Sequence, residues 1–140
     1  MKRAAALLTI FAFAASVAFA QQTQFLRGTG LKDALVGNTM YVHYPGCTEA
    51  EANLILYFAD DGEIHAKQRA CQLPADRATS LRGKWGMEGS EFCVREMGEV
   101  QRHCLTLVKV GENTYKRIDT TGLRTDWSMA MLQEGNPEGF

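Results

Sequence analysis

The chain has 140 residues, enough for one domain at roughly 100–200 residues each. Fifteen Lys and Arg stand against sixteen Asp and Glu, and the formal charge is −1. That balance leaves no electrostatic footprint for nucleic acid. With 22% charged and 46% hydrophobic residues, the composition excludes a disordered chain.

In chain order, Lys2 and Arg3 form a short positive region before an apolar run from Ala4 to Val17. Ala18-Phe19-Ala20 is an A-x-A cleavage pattern, so residues 1–20 read as a secretory signal peptide. The apolar run falls short of the ~20 residues a spanning helix needs. The residue after the cut is Gln21, not Cys, which disfavours a lipid anchor. The mature chain, 21–140, is then a single domain with thirteen cations and sixteen acids. Its expected location is the periplasm or the medium, as a soluble protein without membrane insertion.

Gln21 to Arg27 is a polar lead-in. Thr29 is placed to cap a short helix over Leu31 to Leu35, with Gly37 at the C′ position. Alternation then begins. Met40, Val42 and Tyr44 oppose Thr39, Tyr41 and His43 until Pro45-Gly46. Asn53–Ala59 and Glu63–Ala70 read as two strands around Asp61-Gly62, a hairpin signal of the primed-turn kind. Cys71–Ser80 is a polar loop. Leu81–Met87, Ser90–Glu96, Arg102–Val110, Thr114–Asp119 and Asp126–Gln133 complete about eight strands, with turn signals roughly every 8–12 residues. An all-β, mainly antiparallel, up-and-down barrel with a short N-terminal helix follows, because closure removes exposed edges. A β-sandwich is the alternative.

The four cysteines, Cys47, Cys71, Cys93 and Cys104, form an even set in an exported chain and predict two disulfides. A turn centred near Gly98-Glu99 sets Cys93 opposite Cys104 on one sheet face. A four-residue loop there puts the pair at the closer, non-hydrogen-bonded position. Cys47 then pairs with Cys71 by elimination. The chain has no C-x-x-C pair and no zinc-type Cys/His spacing, so neither metal nor cofactor is expected.

Taken in order, Leu35-Val36-Gly37-Asn38-Thr39, Tyr57-Phe58-Ala59-Asp60-Asp61-Gly62, Gly83-Lys84-Trp85, Phe92-Cys93 with Cys104, and Gly135-Asn136-Pro137-Glu138-Gly139-Phe140 resemble a group of small exported proteobacterial proteins of unknown function. The resemblance implies a lipocalin-like or calycin-like β fold and carries over no catalytic residues. In lipocalins proper the G-x-W lies on the first strand, whereas Trp85 follows three strands here.

His43, His65 and His103 fall on three strands, with His65 expected on the Leu56 and Phe58 face and His103 beside Phe92 and Leu105. This is a pattern of two surface histidines and one packed histidine rather than a metal site. Asp60, Asp61 and Glu63 lack calcium-loop spacing and read as a solvated hairpin tip. Nucleophile-elbow, phosphate-loop and dinucleotide motifs are absent from the sequence. The expected role is a non-catalytic binding module. Trp85, Tyr57, Phe92 and Trp127 are the aromatics placed to line a pocket for a small apolar ligand. An inhibitor or interaction protein acting on a cell-envelope enzyme is the second expectation.

Overall fold

The computed structural model describes residues 24–47, 50–95, 100–119 and 129–140. The signal-peptide reading, Trp127 and the loop between Arg95 and Val100 lie largely or wholly outside them. Nine strands are described: β1 (Phe25–Arg27), β2 (Asn38–His43), β3 (Leu54–Phe58), β4 (Glu63–Gln68), β5 (Thr79–Glu88), β6 (Glu91–Arg95), β7 (His103–Lys109), β8 (Thr114–Asp119) and β9 (Met129–Glu134). One helix, α1 (Gly28–Leu35), joins β1 to β2. From β2 to β9, consecutive strands pair antiparallel, and β9 returns to β2, closing an eight-stranded barrel. The additional strand, β1, lies against β7 where β6 no longer covers it. The lead-in is therefore partly a strand, which its three-residue length and polar flanks conceal.

Alternation sorts the strands into an inner and an outer face. Met40 and Val42, then Leu54, Leu56 and Phe58, then Ile64 and Ala66 point inward and are buried. Phe92, Val94, Leu105, Leu107, Tyr115 and Ala130 continue the core around the barrel. α1 lies over one end and adds Leu31 and Leu35, both fully buried. The helix begins at Gly28, earlier than Thr29, and Arg27 at its N-cap makes no side-chain cap bond. At this start Gly28 has φ +56° and its Cα lies against the Ser90 carbonyl in the β5–β6 turn, a fit that only glycine permits. The chain leaves the helix at an extended Val36, whose N–H donates to the Lys32 carbonyl, and Gly37 follows with φ +81° and donates its N–H to the Phe58 carbonyl at 2.7 Å.

The β3–β4 hairpin corrects one expectation. It is not a two-residue primed turn. Gly62 N–H donates to the Ala59 carbonyl and Ala59 N–H to the Glu63 carbonyl, which makes a three-residue loop, Asp60-Asp61-Gly62. Gly62 follows the tight turn in the left-handed region, φ +88°. The extra residue shifts the register by one, pairing Tyr57 with His65 instead of Phe58 with His65. A one-residue slip moves a side chain to the opposite face, so His65 faces outward with Tyr57 rather than inward with Leu56 and Phe58. Gly62→Val should cost about 1–3 kcal/mol, because a β-branched residue is strained at positive φ. Urea unfolding measures this, and an unchanged midpoint would refute the turn geometry.

Two disulfides close the framework. Cys93 and Cys104 are direct partners across β6 and β7, with Cα atoms 3.8 Å apart, on the short side of cross-strand spacing. Cys47 and Cys71 join the β2–β3 connection to the β4–β5 connection.

Candidate functional site

The site lies outside the barrel, not within it. The outer faces of β9, β2, β3 and β4 present the row Met131, Tyr41, Ile55 and Lys67, each opposite the next. Two structures rise from this face and leave a cleft of about 740 Å³ between them.

The first is the pair of connections at the end of the barrel opposite α1. Arg69, immediately after β4, is only 6% exposed. Its guanidinium donates to the carbonyls of Leu73 (2.6 Å), Glu51 (3.0 Å) and Ala52 (3.4 Å). One side chain thus joins the two connections that Cys47–Cys71 also links. Asn53 is 1% exposed and sits between them. It donates its backbone N–H to Val42, accepts from Arg69 N–H at its carbonyl, and accepts from Tyr44 N–H at Oδ1. Its Nδ2 has no hydrogen-bond partner, although Asn53 lines the cleft.

The second is the segment 135–140, which folds back over the outer sheet. Gly135 N–H donates to Asn38 Oδ1, and Thr39 Oγ1 donates to the Gly135 carbonyl. Thr39 is fully buried beneath the segment despite its outward register. Tyr41 donates its phenol to Glu138 Oε1 at 2.9 Å, and Lys67 Nζ lies 3.6 Å from Glu138 Oε2. Phe140 stacks on Tyr57, with centroids 6.4 Å apart and planes 9° apart, while Lys67 Nζ sits 4.9 Å above its ring. The His65 ring is tilted against Phe140, with centroids 6.3 Å apart.

Burial, then the hydrogen bond to Glu138 and its negative charge, push the Tyr41 phenol from 10.0 up to about 12. A folded-state value above the unfolded one gives stability that is fully present below pH 10. It is lost as pH rises through the window from 10 to about 12. Phenolate absorbance, compared between the wild type and Tyr41→Phe, should show one late-titrating tyrosine in that window. A Tyr41 titrating at its ordinary value would break the contact with Glu138.

Of the aromatics singled out in the sequence, the three described, Trp85, Phe92 and Tyr57, do not share one pocket. Trp85 and Phe92 stack inside the barrel, 5.4 Å apart at 17°, and Trp85 Nε1 donates to the Ala59 carbonyl at 2.7 Å. Tyr57 stands on the opposite face under Phe140. The three histidines are also dispersed: His43 lines the outer cleft, His65 touches Phe140, and His103 opposes Val94 on the inner face. Glu88, Cys93 and Cys104 place three potential ligand atoms within 4.8 Å. Both sulfurs are spent in the disulfide and Glu88 pairs with Arg102 at 2.6 Å, so the trio offers no metal-binding set.

Arg69 and Asn53 carry the loop wall of the cleft and had no periodic signal to mark them, while alternation placed Tyr41 on a face without marking it as part of a site. The one available cue was an arginine flanked by a strand end and a half-cystine. Compared with protein-family models, curated proteins and solved structures, the chain finds no match, so its description rests on its own geometry.

Proposed function

We propose that this chain is an exported, non-catalytic binding module whose recognition site is the cleft on the outer face of the barrel. The observation that carries the reading is the cleft itself. Its volume of about 740 Å³ falls within the range of roughly 300–1,000 Å³ usual for ligand sites. An apolar floor of Tyr41, Ile55 and Met131 is bounded by polar and charged groups, among them His43, Asn53, Lys67, Arg69 and Glu138, so the cleft suits a ligand with both an apolar body and polar groups that hydrogen bonds can orient. The cross-linked connections and the strapped segment hold its walls, which lowers the ordering cost of binding.

Two disulfides support an oxidising compartment, and the leader-like residues 1–20 support export to the periplasm or medium. An eight-stranded antiparallel barrel is also consistent with the lipocalin-like resemblance. The inner space is occupied by Phe58, Phe92, Leu31, Leu35 and Met40, which favours an outer site over a deep cup. Met129 and Met131 are 43% and 48% exposed on the outer face of β9. Adaptable, exposed methionines suit a protein partner, and they favour the second reading, an interaction protein of the cell envelope.

Native mass spectrometry of protein isolated from its own envelope fraction tests both readings. The expected species begins at Gln21 and retains an adduct that Ile55→Asp abolishes. A small adduct selects the ligand-binding module, and a protein-sized one selects the interaction protein. A mature species retaining Met1 to Ala20 overturns export. An adduct indifferent to Ile55→Asp overturns the cleft.

A further inference from the structure

The segment after β9 is built as a ligand for the sheet it covers. Asn136 closes it into a small loop, donating from Nδ2 to the Phe140 carbonyl and accepting from Phe140 N–H at Oδ1, both at 3.0 Å. Gly139, at φ +67°, donates its N–H to the Asn136 carbonyl and completes the turn. The loop presents Glu138 and Phe140 to the same surface. Four side chains from three strands receive them: Tyr41 from β2, Tyr57 from β3, and His65 and Lys67 from β4. The barrel ladder does not depend on these contacts, because the pairing of β9 ends at Glu134.

We propose that the outer face of β2–β4 is a peptide-docking surface, held in cis by residues 136–140 and open to a partner segment that carries a carboxylate two residues before an aromatic ring. Complementarity argues for this occupant. Lys67 serves both features at once, pairing with the carboxylate and lying over the ring. Tyr41 adds a directed donor to the carboxylate, and Tyr57 supplies the flat stacking partner. The Lys67–Glu138 pair is of the partly exposed kind that is individually weak. The cis segment holds its place through these contacts together with its tether, which supplies an effective concentration on the millimolar scale. A partner of matching chemistry competes with it directly. The proposal goes beyond the cleft reading, since it rests on the contacts of the segment and not on export or on an adduct.

The test uses the full chain and an N-acetylated Asn-Pro-Glu-Gly-Phe peptide. The double variant Glu138→Gln with Phe140→Ala removes the cis occupant's two anchors while leaving the surface intact. Peptide binding, followed by NMR shifts at Tyr41, Tyr57, His65 and Lys67, should be about tenfold tighter to this variant than to the wild type. Replacing the peptide's Glu by Gln or its Phe by Ala should abolish that gain. Equal affinity for variant and wild type, or equal binding of the altered peptides, overturns the proposal. If the variant does not fold, the wild type decides: excess peptide should shift Glu138 and Phe140 to a released state, and unmoved resonances overturn it. Either failure leaves an Ile55→Asp-sensitive adduct standing, so the two readings fail separately.

Discussion

Phe92→Ala should destabilise the protein by about 3–5 kcal/mol, the usual cost of truncating a fully buried aromatic. Phe92 is 0% exposed and lies between Trp85, stacked at 5.4 Å, and Phe58, tilted at 6.0 Å. Truncation removes the transfer energy of the ring and leaves a cavity lined by two aromatics. The Trp85 indole donates to the Ala59 carbonyl and cannot move into the space without breaking that bond, which limits how far the site can collapse. Phe92→Leu keeps much of the volume and should cost under about 1.5–2 kcal/mol. Phe25→Ala, at a site 57% exposed, should stay within about 0.5 kcal/mol. Urea unfolding midpoints rank the three. A Phe92→Ala loss no larger than that of Phe25→Ala would mean the aromatic stack does not form the closed end of the barrel.

The elements legible in the sequence were those governed by local rules. Alternation at Met40 and Val42, and at Leu105 and Leu107, marks a half-buried sheet, and these residues do face inward. Gly37 lies just past the helix end, at a position whose positive φ is cheap only for glycine. The opposition of Cys93 and Cys104 follows from counting residues about a turn centre. The misread register at His65 has an equally local cause. Asp-Gly is compatible with both a two-residue and a three-residue loop, and only the hydrogen bond from Gly62 to Ala59 distinguishes them.

The candidate site was scarcely legible, and the physical reason is its composition from long-range contacts. Tyr41 meets Glu138 across 97 positions, and Thr39 meets Gly135 across 96. Periodicity reports which face a residue takes, not what later folds over that face. Thr39 and Tyr41 were correctly separated from Met40 and Val42, but alternation alone gives no sign that segment 135–140 covers their face. Segment 135–140 entered only as a motif of resemblance, since a six-residue stretch with two glycines and a proline carries no periodic signal.

Arg69→Met should destabilise the protein by about 2–4 kcal/mol, a large effect for a residue outside the hydrophobic core. Hydrogen bonds to a charged group contribute roughly 1.5–3 kcal/mol, and losing the donor leaves three part-buried carbonyls without it. Three carbonyls depend on this guanidinium, those of Leu73, Glu51 and Ala52. The Glu51 carboxylate contributes little, because it is 3.9 Å away and 67% exposed. Glu51→Gln should therefore change stability by less than about 0.5–1 kcal/mol. Arg69→Lys should recover only part of the loss, since an ammonium cannot reproduce a planar fork that reaches Leu73 from one nitrogen and Glu51 and Ala52 from the other. Cys47–Cys71 holds the same two connections, so the two devices should not act independently. A double-mutant cycle between Arg69→Met and the paired Cys47→Ser, Cys71→Ser change should give a coupling of about 0.5–3 kcal/mol. Strict additivity would show that the arginine and the disulfide stabilise separate regions, and that the loop wall of the cleft is not one cooperative unit. Coupling of the expected size would mean that reducing the disulfide loosens the Arg69 contacts as well, opening the cleft at its loop end while the strap at the other end stays in place.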